Sequence, residues 1–177
     1  MQAPVEALVA RLYAESLPRL GGFAYALTAD YARAEELVQA ALVKTLVARP
    51  RVDDLAALEG YVRAAMRTLH IDGIRREARW RVRMPRLARD DHAAAADSGV
   101  DDRDEVARAL SQLPARVRTA VALYYWDDLS VADVAAAMDV SAGTVKGYLR
   151  DGRERLGDLL GTAESETDRV RVTEVRP

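Results

Sequence analysis

The chain has 177 residues, half of them apolar and 31% charged, with no Cys and with His only at positions 70 and 92. That balance belongs to a folded chain rather than a disordered one, and it excludes disulfides, thiol catalysis and thiolate metal sites, while two distant His make no metal cluster. Apolar runs are broken by Arg, Asp or Glu well before a membrane span is reached, and the opening MQAPVEALVARLY lacks the basic-then-apolar layout of a secretory leader, so a cytoplasmic protein without membrane insertion is expected.

The first apolar series, Val5, Leu8, Val9, Leu12, Leu17, Leu20, Phe23, Ala24 and Leu27, recurs every three or four residues and predicts a helix, with a bend or weak point at Gly21 and Gly22. Asp30 is placed to cap a second helix whose stripe Ala34, Leu37, Val38, Ala41, Leu42, Thr45 and Leu46 runs to Pro50. Asp53 and Asp54 offer caps for a third, with Leu58, Tyr61, Val62, Ala65, Leu69 and Ile74 inward. Nothing keeps a strand period over a useful length, so the N-terminal unit is expected to be a small helical bundle.

Charge is placed unevenly along these elements. Residues 63–89 hold nine Arg against Asp72 and Glu77, and residues 90–105 hold seven acidic groups against Arg103 alone. A net charge of -2 therefore does not exclude nucleic acid, because a polyanion responds to a concentrated basic face rather than to the sum. The acidic run is placed to fold back on the basic block when DNA is absent. Helical spacing is lost from about residue 86 to 102, which reads as a linker, and it resumes with Val106, Ala109, Leu110 and Leu113, then with Val117, Ala120, Val121 and Tyr124 after Pro114.

Residues 130–160 read SVADVAAAMDVSAGTVKGYLRDGRERLGDLL. Ser130 can cap a short helix with Val131, Val134, Ala135 and Met138 inward, Asp139 and Val140 make a tight connection, and Ser141 can cap a second helix, which is the layout of a helix-turn-helix. With Val145, Leu149 and Leu156 inward, the outer face of that helix holds Ala142, Gly143, Lys146, Gly147, Arg150 and Arg153. In such a motif the second helix enters the major groove, and Lys146 and Arg150 are apt donors to guanine. The plainer alternative, two amphipathic helices packed at an angle, stays open on these residues alone.

Three segments in order, AEELVQAALVKTL at 34–46, YVRAAMRTLHIDGIRR at 61–76 and ALSQLPARVRTAVALYYWDDLSVADVAAAMDVSAGTVKGYLRDGRERL at 109–156, make the chain resemble an extracytoplasmic-function (ECF) sigma factor from about Leu8 to Leu160. The resemblance implies an all-α protein of two small helical domains joined by a flexible linker. These are a sigma-2-like domain at 1–85, a linker at 86–103 and a sigma-4-like domain at 104–161, followed by a tail at 162–177 expected to be disordered. It implies promoter-specific transcription initiation with two partners, the clamp region of RNA polymerase core and promoter DNA. An anti-sigma protein is a third candidate partner; no cofactor and no enzymatic activity are expected.

Carried over by position, the resemblance assigns Glu35, Glu36, Leu37 and Gln39 to core-polymerase binding. It assigns Tyr61, Arg63, Arg67, Thr68, Asp72, Arg75 and Arg76 to the minus-10 element, with Arg tracking phosphates, Asp72 orienting a neighbouring Arg and Tyr61 the nearest stacking group to the loop expected at 50–58. Thr68 stands where relatives usually carry Asn, and a hydroxyl cannot make the bidentate base contact of an amide. To the minus-35 element the resemblance assigns Ser141, Thr144, Lys146, Gly147, Arg150 and Arg153; Gly147 and Tyr148 depart from the family's small and basic pattern. The competing reading is a helix-turn-helix regulator with an N-terminal dimerisation domain, which has no use for an Arg block outside the helix-turn-helix. A sequestering interaction protein has no use for the basic outer face. An enzyme is the weakest reading, since there is no phosphate-cradling loop or paired nucleophile and base, and Asp127 and Asp128 read as solvent-facing turn residues.

Overall fold

The computed structural model describes residues 5–83 and 102–161. The segment expected as a linker lies outside them except for Asp102 and Arg103, and so does the tail at 162–177. Among the described residues there are seven helices and no strand: α1 (Val5–Thr28), α2 (Tyr31–Ala48), α3 (Leu55–Arg83), α4 (Asp102–Ser111), α5 (Ala115–Tyr125), α6 (Val131–Met138) and α7 (Ala142–Leu160).

α1, α2 and α3 pack on one another around Leu12, Leu20, Phe23, Leu27, Leu58, Val62 and Met66, each with no exposed surface. Burying a Leu, Phe or Met side chain contributes roughly 1.5 to 3 kcal/mol. That packing explains a departure from the sequence expectation, because α1 runs unbroken through Gly21, Gly22 and even Pro18. Local propensity favours a break there, and the buried stripe on either side overrides it.

Short side chains fix the helix starts. Asp30 accepts from the Arg33 N–H at 2.9 Å, Asp54 from Ala57 at 2.8 Å, Ser130 from Asp133 at 3.1 Å and Ser141 from Thr144 at 3.1 Å. At the C-terminal ends Arg49 and Asp139 take the left-handed conformation, with φ of 46° and 56°, and Asp139 returns its N–H to the carbonyls of Ala135 and Ala136. α6, that turn and α7 form the expected helix-turn-helix.

The inward face of α3 is shifted from expectation. Met66 and Ile71 are buried, Ile74 is only partly so, and Tyr61 is 36% exposed. Val106, expected inward on α4, is exposed, while Ala109, Leu110 and Leu113 are buried. Gly152 is a close approach between α5 and α7: a Cβ built on it would stand 2.5 Å from Cγ2 of Val121.

The two halves are packed against each other, chiefly through α1 and α5. Arg118 on α5 reaches into the end of α1, donating to the carbonyls of Leu27 at 3.2 Å and Thr28 at 3.1 Å, and to Leu113 on its own side at 3.1 Å. The first two carbonyls lie in the last turn of α1, where no helical N–H follows to satisfy them. Tyr25 adds a bond from its hydroxyl to the Ala107 carbonyl at 3.3 Å.

Candidate nucleic-acid interface

On α7 the buried residues are Val145, Leu149 and Gly152, which turns Lys146, Arg150 and Arg153 outward to solvent. Ser141 caps the helix, and its hydroxyl lies 2.9 Å from that of Thr144, so these two groups sit together at the leading end. Gly147 lies on the same outer side and has no neighbour within 4 Å of a built Cβ. The residues singled out for base and phosphate contact thus form one continuous face, as the spacing required.

The arginines of α3 divide into two groups. Arg75 and Arg76 are exposed, with Arg75 3.8 Å from Asp72 and 3.8 Å from Asp139 of the helix-turn-helix turn. Arg63 and Arg67 instead point at the turn between α5 and α6. Arg67 pairs with the Asp127 carboxylate, while Arg63 lies 3.7 Å from it and donates to the Trp126 carbonyl at 3.0 Å. The Arg63 guanidinium also stands 5.4 Å from the centre of the Phe23 ring, and its Nε has no hydrogen-bond partner. Thr68 is exposed and its hydroxyl donates back to the Ala64 carbonyl at 3.0 Å, which leaves its oxygen lone pairs facing outward.

Asp127 overturns the sequence reading of a solvent-facing turn acid. Its side chain is only 6% exposed, whereas Asp128 beside it is exposed and takes φ of 56°. The partners lie about sixty positions earlier in the chain, a separation no periodic pattern reveals. Glu59 was missed in the same way. It accepts from Ser16 at 2.9 Å and Arg19 at 2.8 Å and pairs with Arg63 at 3.3 Å, tying α1 to α3. Burial alone would raise its pKa, but hydrogen bonds from Arg19 and Ser16 and the charges of Arg19 and Arg63 outweigh it and hold the carboxyl below its usual value.

α2 presents Glu35, Glu36 and Gln39 outward, with Gln39 donating to Glu35 at 3.2 Å. Leu37 is different. It is buried in the α1–α2–α3 core, and the apolar stripe expected at the surface is the core seam itself. The large exposed apolar groups of α2 are Tyr31, Val43 and Val47, at 56%, 60% and 80% exposure. The loop before α3 is also shorter than expected, since α3 starts at Leu55 and Leu58 is fully buried.

His70 lies at the seam, 2.9 Å from the Thr119 hydroxyl. Burial, seconded by the charge of Arg118, pushes its pKa down to about 4. Among the described residues no His, Asp or Glu group is arranged to hold a metal ion, and no helix is long and apolar enough to cross a membrane.

A capped helix-turn-helix with a basic outer face, in one chain with a helical bundle whose long third helix carries a second row of Arg, is the architecture of a DNA-binding protein. Comparison with known proteins gives the family. The profile of sigma-70 region 2 matches residues 12–80, and that of sigma-70 region 4 matches residues 103–156. The RNA polymerase sigma-E factor of Streptomyces avermitilis is 31% identical over 141 residues, covering 76% of this chain and 74% of that one. The ECF RNA polymerase sigma factor SigE of Mycolicibacterium smegmatis is 30% identical over 165 residues, covering 89% of this chain but 62% of the relative's length. Among solved structures, the sigma factor RpoE of Bartonella quintana, in complex with the anti-sigma factor NepR, superposes with a TM-score of 0.59 at 25% identity, covering 88% of this chain and 98% of that one. The chain belongs to the ECF group of sigma-70 factors, a family of non-enzymatic transcription initiation factors.

Proposed function

We propose that this protein acts in the cytoplasm as an alternative sigma factor, using three surfaces on three helices. The outward carboxylates of α2, with Tyr31, Val43 and Val47 supplying the apolar centre in place of Leu37, meet the polymerase clamp. A charged rim around an apolar patch is the arrangement that protein interfaces use. The arginines of α3 take the phosphates of the opened minus-10 strand, and Tyr61 is the nearest exposed ring for stacking. Ser141, Thr144, Lys146, Gly147, Arg150 and Arg153 take the minus-35 duplex. The NepR complex of the Bartonella relative supports a place for an anti-sigma partner here as well.

The observation that carries this reading is that exposed basic residues occur on both halves of the chain, on α3 as well as on α7. A dimeric repressor needs only the second. Run-off transcription with bacterial core polymerase on a library of promoter fragments is the test. Promoter-specific transcripts that depend on this protein are expected, and Lys146→Ala or Arg150→Ala is expected to weaken use of the upstream element by about 1 to 3 kcal/mol with the fold intact. Tight operator binding by a homodimer, with no effect on core polymerase, would overturn it.

A further inference from the structure

A carboxylate that pairs with two of the α3 arginines, Arg63 and Arg67, comes from the other half of the same protein, while Glu59 on α3 itself also holds Arg63 at 3.3 Å. We propose that the turn between α5 and α6 is an internal stand-in for the DNA backbone, with Asp127 holding Arg63 and Arg67 so that the closed protein cannot take a single strand until the turn is withdrawn. This rests on the reading of α3 as the strand-binding helix.

Four observations carry it. First, a guanidinium binds a carboxylate and a phosphate through the same pair of N–H groups, so Asp127 and a DNA phosphate compete for one site. Second, the turn is shaped for this contact. Asp128 adopts a left-handed φ of 56°, the Leu129 N–H returns to the Leu123 carbonyl at 3.2 Å, and of two neighbouring acids only Asp127 is turned into the seam. Third, each Arg is itself mostly covered, with side-chain exposures of 21% and 24%, so little of either guanidinium is open to a strand while the turn is in place. Fourth, the hold is incomplete. The Arg63 Nε has no partner, and the seam farther along α3 opens into a cleft of about 310 Å³ lined by Ile71, Ile74, Arg79 and Met138, where Arg75 and Asp139 face each other only at 3.8 Å. Such a contact is suited to release.

Masking is selective, because Lys146 and Arg150 on α7 remain exposed in the same arrangement. The closed protein can therefore touch duplex DNA through α7 while its strand-binding arginines are occupied. It cannot serve both promoter elements at once. The two elements lie about 25 base pairs apart, roughly 85 Å along B-DNA, whereas a compact protein of this size is roughly 40 Å across.

The test uses the full chain, and its lack of Cys makes engineered labels clean. Spin labels at Ala10→Cys and Glu154→Cys, both exposed positions on opposite halves, report the separation of the halves. Asp127→Asn and Asp127→Arg are compared with the neighbouring control Asp128→Asn. The expected result is a longer and broader distance distribution for both Asp127 variants, together with affinity for a fluorescent 12-mer of single-stranded DNA raised on the order of tenfold and binding of duplex DNA unchanged. Combining Asp127→Arg with Arg63→Asp and Arg67→Asp restores opposite charges across the seam and is expected to bring back the short distance. Unchanged distances in Asp127→Arg would overturn the lock itself. A longer distance with unchanged single-strand affinity would overturn the assignment of α3 as the site it masks, while leaving closure in place.

Discussion

Two glycines on α7 make opposite predictions although both sit in the interior of one helix. Gly152 is packed so closely on Val121 and Val117 that Gly152→Ala must displace them, and overpacking of this kind costs about 1 to 3 kcal/mol. Gly147 has open space where its Cβ would be, so nothing in the fold requires glycine there, and Gly147→Ala is expected to raise stability by up to about 1 kcal/mol through helix propensity. Under the proposed function, what a methyl group there would meet is DNA. Gly147→Ala is therefore expected to melt at a higher temperature yet bind the minus-35 duplex less well. Thermal denaturation beside a duplex titration decides this, and unchanged DNA affinity in a stabilised variant would make Gly147 mere slack. The residues legible in the sequence were those whose role is local. Asp30, Ser130 and Ser141 cap their helices because the acceptor and the N–H it takes lie three positions apart. Asp127 and Glu59 were not legible as a seam acid and a bundle tie, because their partners are distant in sequence and turn or surface acids look alike from composition.

At the scale of elements, α3 carries the most information and was read least evenly. The Arg block was plain in the charge pattern, but its division was not. Arg63 and Arg67 are mostly covered at the seam and Arg76 is exposed, while Arg75, though exposed, stands 3.8 Å from Asp139 across the seam. The division matters for DNA. Each phosphate neutralised contributes a salt slope of about -0.9 on duplex and -0.7 on single strands, so Arg75→Ala with Arg76→Ala is expected to flatten the salt dependence of promoter binding by up to about two units. Affinity for core polymerase, which the proposed function places on α2, is expected to stay the same. Open-complex formation, followed by permanganate reactivity of unpaired thymines, is expected to fall, and unchanged reactivity would remove these two residues from the DNA site. α2 shows the converse limit of sequence reading. Its seam was visible as a period, but a period does not say which side is solvent, and Leu37 was assigned both to the core-facing stripe and to the partner-facing surface. The structure places it in the core and leaves Val43 and Val47 outside.

The whole molecule adds what neither half shows alone, namely that the two helical units close on each other and that a titratable group sits in the seam. The sequence supplied both bundles, because each has its own apolar period, but not their packing, which depends on Arg118 reaching the carbonyls of Leu27 and Thr28 and on the contact between His70 and Thr119. His70 gives closure a pH dependence whose sign can be worked out. In the closed form its pKa is pushed down to about 4 by burial and by Arg118, against 6.5 for a solvated imidazole. Above pH 6.5 the ring is neutral in both forms and closure has its full stability. As pH falls from 6.5 toward 4 the open form takes up a proton that the closed form cannot, so closure is progressively lost. With the whole shift released on opening, the linkage between pH 7.5 and pH 5 is at most a factor on the order of 20 in the closed-to-open ratio. The same spin-label pair at Ala10 and Glu154 is expected to show a growing long-distance population on acidification, and His70→Gln, which keeps a hydrogen-bonding group but does not titrate, is expected to flatten that response. An equal response in His70→Gln would place the acid-sensitive group elsewhere. Because Asp127 leaves Arg63 and Arg67 in the open form, single-strand binding at pH 5 is expected to rise in the wild type by more than it rises in Asp127→Asn, whose seam is already released.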